Sequence, residues 1–187
     1  MATINEIKAS ASEHFAKTQA ALLNEFASVR TGRAAVGLFD KITVEAYGSQ
    51  MPLNQVASVK TPDAQTVVIE PWDKGTISAI ERAIQSSDLG LSPNNDGRLI
   101  RVPFPPLTEE RRRELAKLCK NYAEEARVAI RNIRRDANQK LDRMKTDKEA
   151  GEDELYHAEQ DVQKLTDKAI EEIAAALDKK EKEIMEV

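Results

Sequence analysis

The feature that most constrains this chain is the stretch from Leu107 to Lys145, about 39 consecutive residues that keep one helical pattern without an internal Pro or Gly. At a rise of about 1.5 Å per residue it predicts a rod roughly 58 Å long. Placed at about 100° per residue, Leu115, Leu118, Tyr122, Ala126, Ala129, Ile133, Ala137 and Met144 share one side. Arg113, Lys117, Lys120, Arg127, Arg131 and Arg134 follow one another on the other side, interrupted only by Glu124. The helix is therefore expected to have a core side and an anion-facing side.

A solvated face is the ordinary explanation of a charge run. Two details favour an anion partner. Between Arg127 and Arg135 stand four arginines and no lysine, acid or aromatic residue, and the planar guanidinium fork suits bidentate phosphate contact better than an ammonium does. A face built only for solubility would also mix Glu with Lys. The formal charge of -4 hides this polarity. Residues 106–146 carry 12 basic and 7 acidic side chains, residues 147–187 carry 6 and 14, so +5 adjoins -8.

Read in order, Thr3-Ile4-Asn5-Glu6 matches a capping box that starts a first helix. Ile4, Ile7, Ala11, Phe15, Thr18, Leu22, Phe26 and Val29 form its apolar stripe, with His14 at the core edge. Arg30-Thr31-Gly32-Arg33 breaks the pattern, and all seven prolines fall between there and Pro106. In that stretch Ile42 to Tyr47 alternates like a strand before a Gly48-Ser49 turn, and Val56 to Lys60 and Thr66 to Glu70 read as two more strands. Thr76 to Ser86 is a short amphipathic helix; Leu91 to Pro93 and Leu99 to Val102 look like hairpin arms turning through Asn94 to Gly97. This segment carries 8 basic and 8 acidic residues over 30–105 and offers no overall basic surface.

Pro103-Phe104-Pro105-Pro106 ends the strand-rich segment, since no helix passes through it. Thr108 caps the long helix, Thr146 to Gly151 turns, and a last helix from about Glu152 carries Leu155, Val162, Leu165, Ala169, Ile173, Ala176, Leu177 and Ile184 as its stripe. Three long stripes, each too apolar to stand alone in water, imply a bundle. The expected fold class is therefore α+β with two domains: a long antiparallel three-helix bundle from 1–29 and 106–187, and a small strand-rich α/β domain at 31–104. The chain would cross between them twice, near Arg30, Thr31 and Gly32 and near Val102, Pro103, Pro105 and Pro106, which makes these the candidate hinge residues.

No catalytic constellation stands out. The chain has no GxxxxGK[ST], GxGxxG, CxxC or HExxH, and its two histidines, His14 and His157, are far apart. Acidic neighbours such as Glu124-Glu125 diverge on a helix instead of converging on a substrate. Not an enzyme, with no metal and no cofactor, is the expectation. Cys119 excludes an intramolecular disulfide and fits a small buried hydrophobe in a reducing compartment. No run approaches about 18 apolar residues, and Met1 to Glu6 lack the basic and apolar regions of a secretory leader, so a cytoplasmic location without membrane contact is expected.

Pro105-Pro106-Leu107-Thr108-Glu109-Glu110-Arg111-Arg112 and Val128-Ala129-Ile130-Arg131-Asn132-Ile133-Arg134-Arg135-Asp136-Ala137-Asn138 closely resemble bacterial ribosome recycling factor. Arg30 to Ala34, Ser87 to Leu91 and Asp161 to Asp167 extend the resemblance along nearly the whole chain. It implies an L-shaped molecule, a three-helix bundle with a small domain on a mobile hinge. It also implies a non-enzymatic, monomeric translation factor that binds post-termination ribosomes and, with elongation factor G and GTP, splits them into subunits. In that family the bundle contacts large-subunit ribosomal RNA through an Arg-Asn-(Ile/Val)-Arg-Arg motif, which here is Arg131, Arg134 and Arg135. The helical stripe includes the first two; Arg135 lies about 40° past the stripe's centre on the other side, where it could pair with an acid. The alternative is a coiled-coil adaptor or chaperone that binds protein through its helices.

Overall fold

The computed structural model describes residues 3–186, so Met1 and Ala2 of the leader reading lie outside it. The elements run in the order α1 (Ile4–Ser28), β1 (Thr43–Ala46), β2 (Ser49–Pro52), α2 (Leu53–Val56), β3 (Ala57–Asp63), β4 (Thr66–Pro71), α3 (Ile77–Gln85), β5 (Asn94–Asn95), β6 (Ile100–Pro103), α4 (Glu109–Thr146) and α5 (Glu152–Met185), with 3-10 turns at Val36–Phe39 and Lys74–Thr76. The fold is α+β. Two compact units result, one made of Met1–Phe26 with Ala116–Lys182, the other of Ala27–Leu115 with Glu183–Val187.

Local chemistry sets the helix ends. The Thr3 amide donates to Glu6 Oε2 at 2.7 Å and the Glu6 amide to Thr3 Oγ1 at 3.2 Å, which is the reciprocal capping box. The Arg111 amide donates to Thr108 Oγ1 at 3.2 Å, so Thr108 caps α4. Glu109 and Glu110 in the first turn of α4, and Arg143 and Lys145 in its last, suit the helix dipole.

In the helical unit, Lys8 Nζ meets Asp161 Oδ2 at 2.6 Å and Gln19 Nε2 meets Glu172 Oε2 at 2.5 Å. Both pairs advance together, so α1 and α5 run parallel. Lys120–Glu181 and Arg134–Gln163 advance in opposite senses, so α4 is antiparallel to α5 and hence to α1. The core is filled by Ile7, Ala11, Phe15, Leu22 and Phe26 of α1, by Cys119, Ala123, Ala126, Ile130, Ala137 and Leu141 of α4, and by Leu155, Ala158, Val162, Thr166, Ala169 and Ile173 of α5. Thr166, fully buried, donates its hydroxyl to the Val162 carbonyl at 2.8 Å and so leaves no unmet donor in the core. His14 is exposed, not a core-edge side chain. Phe15 takes the inward position, and His14 Nδ1 donates to the Ser10 carbonyl at 2.6 Å.

In the other unit a four-stranded antiparallel sheet has the order β3-β4-β6-β5, beside a hairpin of β1 and β2. Val67 pairs with Val102 and Ile69 with Ile100, which sets one apolar face for the sheet. That face packs with Val44, Leu53, Ile80, Ile84, Phe39 and Phe104, all nearly or fully buried. Three details depart from the expected strands. The β1–β2 turn uses Tyr47 (φ 53°) and Gly48 (φ 78°), one residue earlier than Gly48-Ser49, because Ala46 pairs with Ser49 and leaves two residues to reverse the chain. The polar Ser49–Pro52 segment is a strand because Val44 and Thr43 supply its partners. The arm of the last hairpin is Asn94–Asn95, paired with Arg101 and Ile100, not Leu91 to Pro93, where Leu91 instead packs into the core.

Candidate nucleic-acid interface

The side chains that face solvent on α4 follow from which side of it is buried. Cys119, Ala123, Ile130 and Leu141 are fully buried, whereas Leu118 is 37% exposed. With Leu115, Ala126 and Ala137 also buried, the buried stripe is centred about 50° from the full stripe of Leu115, Leu118, Tyr122, Ala126, Ala129, Ile133, Ala137 and Met144, taking about 100° per residue. This rotation corrects two expectations about direction. Arg134 does not point squarely away from the core; it is half-buried on the flank that meets α5. Arg135 is exposed and pairs with no acid among the described residues.

The cations of α4 thus divide into two rows. Lys120, Arg127 and Arg134, each seven residues from the next, lie along the α5 flank. Lys120 Nζ stands 3.4 Å from Glu181 Oε1, the Arg127 side chain is only 24% exposed, and Arg134 Nη1 donates to Gln163 Oε1 at 3.3 Å. Lys117, Arg131 and Arg135 point further out and are exposed. Glu124 links the rows, accepting from Arg127 Nη1 at 3.1 Å and from Arg131 Nη1 at 3.2 Å. Those two bonds, Arg127 first, hold its carboxyl below the usual range. Lys117 and Arg135 form no ion pair or hydrogen bond among the described residues. Arg113 bonds to Glu109 in the opening turns of α4, which belong to the other unit.

Exposed arginines spaced by three and four residues can each offer a guanidinium fork to successive phosphates. The sequence pattern had the residue types and missed Gln163, a polar residue on α5 whose place beside Arg134 depends on how two helices align. No three His, Cys, Asp or Glu residues come together to hold a metal among the described residues. The Cys119 thiol is pushed up by burial, away from nucleophilic use.

The expected hinge residues all fall in the unit Ala27–Leu115. Val102 and Pro103 close β6, and Val102 is fully buried opposite Val67. Phe104 is buried too, edge-on to Phe39 with centroids 6.2 Å apart, and its amide donates to the Gln65 carbonyl at 2.7 Å. Arg30 lies over the Phe104 ring at 5.5 Å and donates to the Pro105 carbonyl, so it ties the outgoing segment to the returning one. A Cβ on Gly32 would meet nothing within 4 Å.

A two-unit α+β chain with rows of cations along one helical flank has the make-up of a binding factor. The family model described as ribosome recycling factor matches residues 22–185. The ribosome-recycling factor of Halalkalibacterium halodurans is 56% identical over 182 residues, covering 97% of this chain and 98% of that one. The one from Oleidesulfovibrio alaskensis is 53% identical over 175 residues, covering 94% and 95%. A solution structure of a ribosome recycling factor superposes with a TM-score of 0.83 at 42% identity, covering the whole of both chains. A second structure, the Thermus thermophilus factor, described together with Escherichia coli elongation factor G bound to the post-termination complex, gives 0.68 at 44% identity over 99% of this chain and 100% of that one. The chain belongs to the ribosome recycling factor family, whose members are translation factors and not enzymes. That membership favours the translation-factor reading over the coiled-coil adaptor.

Proposed function

We propose that this protein acts in the cytoplasm on post-termination ribosomes, holding large-subunit ribosomal RNA with the basic flank of α4 while, with elongation factor G and GTP, it separates the subunits. One observation carries the reading. Six cations stand between Lys117 and Arg135, and among the described residues only two carboxylates, Glu124 and Glu181, form ion pairs with them, leaving a local excess of four positive charges. The acidic residues that bring the whole chain to -4 are concentrated in α5, and screening over about 8–10 Å limits their effect on the outward row. A relative associated with elongation factor G on the post-termination complex supports the same partner here. Arg113, Lys117, Lys120, Arg127, Arg131, Arg134 and Arg135 are the residues this reading assigns to RNA.

Each phosphate neutralised releases counterions, so binding to large subunits should weaken with a log-log salt slope of several units, about 0.7 to 0.9 per phosphate. Co-sedimentation with large subunits tests this. Arg134→Glu and Arg135→Glu should abolish binding at moderate salt and leave helical content intact. Wild-type binding by Arg134→Glu, or a flat salt response, would reduce the flank to a solvated face.

We infer further that the strand-rich segment 31–104 moves as a body about Arg30, Thr31 and Gly32 on the way out and Pro105 and Pro106 on the way back. Pro restricts the return while Gly32 leaves the outgoing backbone free. A disulfide engineered between that segment and the helices, in a Cys119→Ala background, should preserve ribosome binding and block splitting until reduced. Splitting at the normal rate by the locked protein would make the motion dispensable.

A further inference from the structure

Arg134 differs from its neighbours in what holds it. Arg127 and Arg131 bond to Glu124 and Lys120 stands against Glu181, so each is held by a carboxylate that offsets its charge. Lys117 and Arg135 are unheld among the described residues. Arg134 is held by a neutral amide. Its Nη1 donates to Gln163 Oε1 at 3.3 Å, and Gln163 Nε2 in turn donates to Asp167 Oδ1 at 2.8 Å. A side-chain amide has an accepting end and a donating end. Because the donating end is committed to a carboxylate, which can only accept, the oxygen is the end left for the guanidinium. Gln163 and Asp167 are four residues apart on α5 and so share one face of that helix.

We propose that Gln163, oriented by Asp167, is a positioning residue that fixes Arg134 for an RNA phosphate without cancelling its charge; this rests on the reading of the α4 flank as the RNA interface. An arginine moving freely in solvent loses rotamer freedom when it docks, whereas one already held has lost it on folding. One N–H of five is used by Gln163, which leaves others for a bidentate contact. Glutamate at 163 would hold the guanidinium as firmly and neutralise it. Methionine, of similar length, would not hold it.

The test is binding of the full-length protein to purified large ribosomal subunits, measured as a function of salt. Gln163→Met should weaken binding roughly two- to tenfold, the range expected for freeing one rotamer-rich side chain, with no change in salt slope because no charge is altered. Gln163→Glu should weaken binding and lower the slope by about one. Asp167→Asn keeps an acceptor and should bind as wild type, whereas Asp167→Ala, at an exposed position, should reproduce the loss seen with methionine. In an Arg134→Ala background, Gln163→Met should cost nothing further, although a merely structural role would lower affinity and thermal midpoint in both backgrounds. If Arg134→Ala binds as wild type, the RNA reading of the flank fails. If Arg134→Ala binds weakly while Gln163→Met and Asp167→Ala bind as wild type, or if Gln163→Met costs as much without Arg134 as with it, the positioning role is overturned and the RNA reading stands.

Discussion

The phase of α4 decides which cations face outward, and it is open to a direct test with Ile130→Ala and Leu118→Ala. Ile130 is fully buried, and Leu118 is 37% exposed. Truncating a fully buried Ile removes its transfer free energy and leaves a cavity, together about 2–5 kcal/mol. For Leu118 the cavity term vanishes because solvent reaches the site, and the buried fraction of a side chain worth about 2 kcal/mol leaves roughly 1 kcal/mol. Alanine's better helix propensity offsets a few tenths of that. In a chain of this length about 1 kcal/mol corresponds to a midpoint shift of 2–4 °C, so Ile130→Ala should melt about 4–20 °C below wild type and Leu118→Ala no more than about 4 °C below. Thermal melts followed by circular dichroism at 222 nm, which is dominated by the long helices, provide the assay. If Leu118→Ala proved the more damaging of the two, the buried side would be centred on Leu115, Leu118 and Tyr122. Arg134 would then point away from α5, and the division of the cations into two rows would fall with it.

Further outcomes follow from single contacts. Arg112, 9% exposed, donates to the Met185 carbonyl at 3.1 Å at the end of α5; Arg112→Met should cost about 1–2 kcal/mol by removing a cation from a helix C-terminus, seen as faster amide exchange in the last turn of α5. Cys119, fully buried with its thiol pushed up by desolvation, should resist a thiol reagent in native buffer and react fully in denaturant; rapid native labelling would contradict its place in the core. The Asp161 carboxyl is held below its usual range by the hydrogen bond from Lys8, and then by that lysine's charge. A lowered folded-state value means that the pair contributes stability above the ordinary Asp pKa of about 3.9 and loses it as pH falls through the lowered value. The stability gap between wild type and Asp161→Asn in urea melts should therefore be open at neutral pH and close in acid; a gap that widened in acid would reverse the sign of the argument.

The three long helices, their order around the strand-rich segment and their ends were legible because the signals are local. A capping box at Thr3 and Glu6 and a cap at Thr108 act within one turn, and α1's stripe of Ile7, Ala11, Phe15, Leu22 and Phe26 is buried as its spacing requires. The phase of α4 was less legible. Its apolar residues spread over a wide arc in which Leu118 and Ala129 count as heavily as Cys119, Ala123 and Ile130, and only packing against α1 and α5 chooses among them. The strands at Ser49–Pro52 and Asn94–Asn95 carry turn-like or polar residues, and they become strands because distant partners supply their hydrogen bonds. For the site, residue type and helical spacing nominated Arg131 and Arg134, and family resemblance added Arg135. Which of them is held and which is free was beyond the sequence: Arg134 and Gln163 are 29 residues apart, and the antiparallel alignment of two helices is what brings a neutral acceptor to one guanidinium and leaves the next in solvent.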